Sequence, residues 1–75
     1  MFRKKYSLQD RTDYHLKKIG ESKTVDNYSL GFVDAVNSDG FQYDGILIEN
    51  RKNKNFCRGF YAGVRAKEKA RSLKW

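Results

Sequence analysis

Arg58, Tyr61, Arg65 and Lys69 recur at steps of three and four in the last third of the chain, which puts four groups able to engage a polyanion on one side of a helix. Cations in such a row contact phosphates, and the ring of Tyr61 offers a face on which an unpaired base can stack, a contact worth about 1 to 3 kcal/mol. Arg51, Lys52 and Lys54 lead into this segment, and Lys67 and Arg71 extend the positive charge along it. Together these residues form the candidate nucleic-acid-binding set.

Other residue types that could do chemistry lack partners at useful spacing. His15 is the sole histidine and Cys57 the sole cysteine, so neither a His/Cys metal set nor an internal disulfide can be built. General acid or base work needs a positioned partner, and none is identifiable beside His15, which reads as a satisfied or half-exposed structural histidine. Cys57 lies near cations, but with no base or resolving thiol it reads as a core or boundary residue. Asp34, Asp39, Asp44 and Glu49 do not match a calcium loop. They are expected to be solvated or to pair with the basic helix. The chain has no phosphate-binding Walker loop and no dinucleotide fingerprint, so neither a cofactor nor an enzymatic activity is implied.

The row of cations needs a helix to carry it. Phe56, Gly59, Phe60, Gly63, Ala66, Ala70 and Leu73 form the apolar stripe of such a helix, over about residues 55 to 73, and Asn55 can cap its start. Glycine in a helix interior costs about 1 kcal/mol against alanine, so Gly59 and Gly63 imply the close approach of another backbone. GxxxG spacing marks dimerisation in a membrane span, but Arg58 and Arg65 rule out a span here, and tight packing is the remaining reading.

A helix over about residues 7 to 19 is predicted upstream, capped by Ser7 and stopped by Gly20, with Leu8, Thr12, His15, Leu16 and Ile19 on one face. That stripe is thin and requires a neighbour. A second helix is predicted over about residues 26 to 37, capped by Thr24 or Asp26. It is apolar on two sides: Tyr28, Gly31, Phe32, Ala35 and Val36 on one, Leu30 and Val33 on the other. Such a helix is usually central. Laid over the last helix at an offset of 28 residues, Tyr28 meets Phe56, Gly31 meets Gly59, Phe32 meets Phe60, Ala35 meets Gly63 and Val36 meets Val64. The two faces are expected to pack on each other as an antiparallel hairpin.

Between the copies, Asp39-Gly40 is a turn signal, and Gln42 to Glu49 is the most strand-like stretch, with Ile46, Leu47 and Ile48 as an apolar triplet. The expected fold is therefore mainly α, with three helices and a loop or short β connector at 41–49. The alternative is an α+β fold with a small antiparallel hairpin, in which Leu30 to Val36 and Phe41 to Ile48 pair across the SDG turn.

Seventy-five residues make a single small domain with a small core, preceded by a basic tail at about residues 1–6. No run approaches the ~18 apolar residues of a membrane span and no signal peptide is recognisable, so cytoplasmic residence without a membrane partner is expected. The net charge of +7 is uneven: residues 1–20 hold six Lys/Arg against two acids, residues 21–50 one against six, and residues 51–75 nine against one. Two basic ends flanking an acidic middle suggest a polyanionic partner.

The repeated aromatic/Gly-Phe/small pattern resembles the ribosome modulation factor family, short basic proteins of two helices joined by a connector. Gly31, Phe32 and Ala35, then Tyr43 in the connector, then Gly59, Phe60 and Gly63 carry the likeness. The family's connector usually has a proline before its tyrosine where this chain has Gln42, and the N-terminal helix is extra. The resemblance implies binding to ribosomal RNA and modulation of translation.

The expected function is thus a non-catalytic RNA-binding module, with RNA or the ribosome as partner. A regulator that docks on an acidic protein and inhibits it would use the same basic face, and a DNA-binding factor is a third reading. Against a helix-turn-helix stands the connector, far longer than the 3 to 4 residues that motif uses. The oligomeric state is left open by the sequence.

Overall fold

The computed structural model describes residues 7–72. The basic tail at residues 1–6 and the predicted helix end at residue 73 lie outside the described residues. Four α-helices are present among the described residues, α1 Leu8–Glu21, α2 Asn27–Asn37, α3 Tyr43–Glu49 and α4 Lys54–Ser72, with a 3-10 turn, Gly40–Gln42, leading into α3. The mainly helical class expected from periodicity holds, with four helices rather than three and no strand among the described residues.

Local chemistry explains where α1 begins and ends. The Ser7 hydroxyl accepts from the Asp10 backbone N–H at 3.1 Å while the Asp10 carboxylate accepts from the Ser7 N–H at 3.2 Å, a reciprocal cap that satisfies two otherwise orphaned donors. The helix runs through Gly20 instead of stopping there, and ends where Ser22 turns extended with its N–H on the Lys18 carbonyl. At the start of α2 it is Asp26 that caps, accepting from the Ser29 N–H at 3.0 Å. Asn53 caps α4, accepting from the Phe56 N–H at 3.2 Å, two positions earlier than the predicted Asn55.

The connector departs most from expectation. Residues 41–49 form neither a loop nor a strand, and the Leu30–Val36/Phe41–Ile48 hairpin does not form, because α2 continues through Val36 and the connector is helical. Tyr43, Ile46 and Leu47 are three and four apart. As a helix they share a face, and they pack together on the core. A strand would send Ile46 and Leu47 to opposite sides. Ile48, the third member of the apolar triplet, is left largely exposed. Asn50 closes α3, its side-chain amide donating to the Ile46 carbonyl at 2.9 Å, and the Cys57 thiol donates to the Asn50 carbonyl at 3.3 Å. Cys57 is thus the boundary residue expected, tying the first turn of α4 to the end of α3.

The centre of the fold is the contact of α2 with α4, where the costly glycines are explained. A Cβ on Gly59 would collide with the Tyr28 backbone carbonyl, and one on Gly31 with the Phe56 carbonyl and, at 2.8 Å, with the Phe60 nitrogen. A Cβ on Gly63 would lie 2.6 Å from the Phe32 carbonyl oxygen and 2.8 Å from Ala35 Cβ. At Gly31 and Gly59 backbone rests directly on backbone, and at Gly63 the Phe32 backbone is joined by the Ala35 methyl.

The order of these contacts corrects the predicted antiparallel hairpin. Gly59 meets Tyr28, Gly63 meets Phe32, and Lys67 meets Ala35 and Ser38, so positions rise together along both helices. The two helices run parallel, and α3 is the return segment that makes a parallel pair attainable. The repeat also acquires a geometric meaning. Gly31 lies against Phe56 as Gly59 lies against Tyr28, while Ala35 meets its own counterpart Gly63, which is the contact pattern of an approximate two-fold axis along the pair.

Each phenylalanine of the pair then takes its own cover. The Phe32 ring lies 4.3 Å from the His15 ring of α1, and Phe60 takes the edge of Tyr43 from α3 at 5.4 Å. Both phenylalanines are fully buried. The α1 helix runs antiparallel to α2, with Arg11 near Phe32, His15 near Ser29 and Lys18 near Asp26. That makes α2 the central helix its two apolar sides imply. On α1, Thr12 is buried with its hydroxyl on the Leu8 carbonyl, whereas Leu16, expected inward, is about half exposed.

Candidate nucleic-acid interface

The predicted cationic row is present as a surface. Arg58, Arg65 and Lys69 are exposed along α4 and Tyr61, between the arginines in sequence, is 55 % exposed. Arg51, Lys52 and Lys54 are exposed at the approach to the helix, and Arg71 near its end. Among the described residues the ion pairs are Lys17 with Glu21 and Lys18 with Asp26, both on the α1–α2 side. The acids of the middle segment do not pair with α4, so Arg58, Arg65 and Lys69 keep their charge available.

Lys67 does not share this outward position. Its ammonium donates to the Ser38 carbonyl at 2.6 Å, the Ala35 carbonyl at 3.3 Å and the Tyr43 hydroxyl at 2.9 Å, and lies 5.3 Å from the centre of the Tyr43 ring. All three donors are engaged inside the fold. Two acceptors are carbonyls at the C-terminal end of α2, where a cation complements the helix dipole, and the third tethers the first turn of α3. By sequence Lys67 groups with its charged neighbours, because neither α2 nor Tyr43 is near it in the chain. Replacing Lys67 with methionine keeps the stem and removes the donors. It is expected to destabilise the domain by about 1 to 3 kcal/mol, lowering the melting temperature by at least ~4 °C in a thermal scan.

Arg11 joins the cations of α4 only in three dimensions. It lies on α1, its guanidinium 5.5 Å from the centre of the Phe32 ring, and it lines a cleft of about 370 Å³ with Ala62, Arg65, Ala66 and Lys69 of α4. Nothing in the spacing of Arg11 links it to Ala62, Arg65, Ala66 and Lys69, all more than fifty positions away.

His15 is half-buried beside this region and is held by a short polar chain. The Ser29 hydroxyl donates to Asp26 Oδ2 at 3.0 Å, so its oxygen is free to accept from His15 Nδ1–H at 2.8 Å. Ser29 is 1 % exposed, which makes the chain a pin between α1 and α2, as the structural reading of His15 expects. Burial, then the charge of Lys18, pushes the His15 pKa below its ordinary value of 6.5, against the opposing pull of Asp26. The Ser29 backbone N–H, more than any other contact, holds the Asp26 carboxyl below its ordinary value of 3.8. Both groups therefore bind protons more readily in the unfolded chain. Stability is expected to be fullest above pH 6.5, to fall as His15 is forced to charge below that value, and to fall again as acid below pH 3.8 protonates Asp26. Urea midpoints measured from pH 8 to pH 3 check this, and a His15→Gln variant should lose the upper of the two declines.

Among the described residues no group of three or more His, Cys, Asp or Glu side chains could hold a metal ion. Nor is any described helix long and apolar enough to cross a membrane. The fold and surface together define a small parallel-paired helical domain whose cationic face makes no ion pair among the described residues. Neither a protein-family model, nor a curated protein, nor a solved structure matches this chain.

Proposed function

We propose that this domain is a non-catalytic RNA-binding module whose ligand is structured RNA, ribosomal RNA first among the candidates, and that it modulates translation from there. The observation that supports this reading is the exposed row of Arg58, Tyr61, Arg65 and Lys69 on α4, free of ion pairs to the acids of the described residues. In this reading Arg58 and Arg65 fork onto phosphate oxygens, Lys69 adds a point charge, and Tyr61 stacks on an unpaired base. Arg51, Lys52 and Lys54 extend the field along the strand, Arg71 does so at the far end, and Lys67 belongs to the fold. Of the residues shared with the ribosome modulation factor pattern, Gly31, Phe32, Ala35, Gly59, Phe60 and Gly63 build the helix pair beneath that face and Tyr43 packs on it from α3, and they are the reason for choosing ribosomal RNA as the first probe.

The test is a titration with a ribosomal RNA fragment at two salt concentrations. Each phosphate contact adds about 0.7 to 0.9 to the slope of log affinity against log salt, so three contacts predict a loss of roughly 20- to 40-fold between about 50 and 200 mM salt. Salt-insensitive or undetectable binding, or full binding by an Arg58→Ala/Arg65→Ala variant, would sink the proposal. Capture of a partner from lysate that survives nuclease treatment would point instead to an acidic protein, and a shift of nonspecific duplex at low salt to DNA.

A further inference from the structure

We propose that Arg11, Arg65 and Lys69 form a phosphate-binding cleft at the seam of α1 and α4, so that a bound strand runs off α4 and onto α1. The choice of RNA as the source of that phosphate rests on the function proposed above; the cleft itself rests on geometry. Three cations from two helices line one concavity of about 370 Å³, and between them lie Ala62 and Ala66, whose short side chains leave the space open. None of the three is paired with a carboxylate among the described residues. Glu68 lines the adjoining hollow with Arg11 and Lys69 but pairs with none of the three, so like charges gathered with no carboxylate in bonding reach still repel, and an anion between them relieves that repulsion.

Arg11 is also held in place. Its guanidinium lies 5.5 Å from the centre of the Phe32 ring, and that ring is fully buried against the α2–α4 pair. A cation seated on a fixed aromatic face has lost part of its rotamer freedom before any ligand arrives, which lowers the entropy it must give up on binding. The donor set selects the ligand. Two guanidinium forks and an ammonium, approaching from different helices, exceed what a single carboxylate with two oxygens can satisfy, and they suit phosphate oxygens. A terminal phosphate or neighbouring phosphates within the strand would supply the same acceptors.

Two measurements test the cleft separately from the RNA reading. In the first, the isotope-labelled full chain is titrated with inorganic phosphate at constant ionic strength. Amide and arginine side-chain shifts are expected at Arg11, Ala62, Arg65 and Ala66 and not at Arg51 or Lys52; shifts spread evenly over all cations, or none, would overturn the cleft. In the second, Arg11→Gln is compared with Lys17→Gln, a change at an exposed position elsewhere on α1, against RNA hairpins with and without a 5′ phosphate. Arg11→Gln should weaken binding by about tenfold and flatten the salt slope by about one, with Arg11→Lys intermediate and Lys17→Gln within about twofold of the unaltered chain. A loss confined to the 5′-phosphorylated hairpin assigns the cleft to a terminal phosphate, and an equal loss on both assigns it to the strand. If Arg11→Gln binds fully while the Arg58/Arg65 variant does not, the cleft fails and the RNA reading stands. If the chain ignores RNA yet shows the localised phosphate shifts, the RNA reading fails and the cleft stands.

Discussion

Replacing Gly59 with alanine is expected to cost the domain more than about 3 kcal/mol, although the substitution favours helix formation by about 1 kcal/mol at an isolated helical position. The new methyl would meet the Tyr28 carbonyl, with the Tyr28 carbonyl carbon at 2.7 Å and its Cα at 2.9 Å. These are backbone atoms inside α2, so no rotamer change relieves the clash and the two helices must separate. Separation loosens every contact along the pair, including those of Gly31 and Gly63. Overpacking a well-packed core typically costs about 1 to 3 kcal/mol, and a rigid backbone contact belongs above that range. At about 0.05 to 0.15 kcal/mol per residue, a domain of this length has only about 4 to 11 kcal/mol to lose. Circular dichroism during urea titration checks the result. Gly45→Ala is the matched control: it sits in α3 with nothing within 4 Å of the added carbon, and should stabilise by about 0.5 to 1 kcal/mol. A Gly59→Ala variant as stable as the unaltered chain would mean that the close parallel pairing of α2 and α4 is not the native one.

Phe60→Ala should come next in severity, at about 3 to 5 kcal/mol. Phe60 is fully buried and receives the edge of Tyr43 at 5.4 Å, with the Phe56 ring 6.1 Å away. Truncation removes the ring that α3 rests on, and α3 has only seven residues, too few to be helical without tertiary support. Amides of α3 should then exchange with solvent faster than those of α1 in hydrogen-exchange measurements. Phe60→Leu, which keeps most of the volume, should cost far less, about 1 kcal/mol. Similar losses for the two variants would show that α3 is not anchored through this ring.

Much of this architecture is legible along the chain because helix periodicity is a local property. The stripes of α2 and α4 follow from spacing alone, as does the cap at Ser7, whereas for α2 the sequence offers Thr24 or Asp26 and the structure selects Asp26; both capping side chains act on donors three residues away. The 28-residue repeat is legible too, and with it the need for a close backbone at Gly59 and Gly63. α3 was hidden by its composition. Its β-branched and apolar residues suit a strand, its Gly45 disfavours a helix, and the face of Tyr43, Ile46 and Leu47 gains its energy only against a core contributed by α2 and α4.

The candidate surface divides in the same way. Arg58, Tyr61, Arg65 and Lys69 could be placed together because one helix carries them all. Lys67 and Arg11 could not be sorted, because the partners that draw one inward and bring the other to the cleft lie on other elements: Ala35, Ser38 and Tyr43 for Lys67, and Phe32 and Arg65 for Arg11. Charge alone made Lys67 look like its neighbours.

By itself, then, the sequence favoured a mainly helical chain over the α+β alternative, and it determined which helical faces are apolar and that the segments at Tyr28 to Val36 and Phe56 to Val64 carry matching small-residue patterns. Tertiary structure alone decided that those segments pair in parallel, that the connector is a helix, and which cations remain outside. The physical reason is that a helical face reads the same whichever way its partner runs. Direction is set by the return path through α3 and by contacts such as Lys67 with the end of α2, which join residues some thirty positions apart.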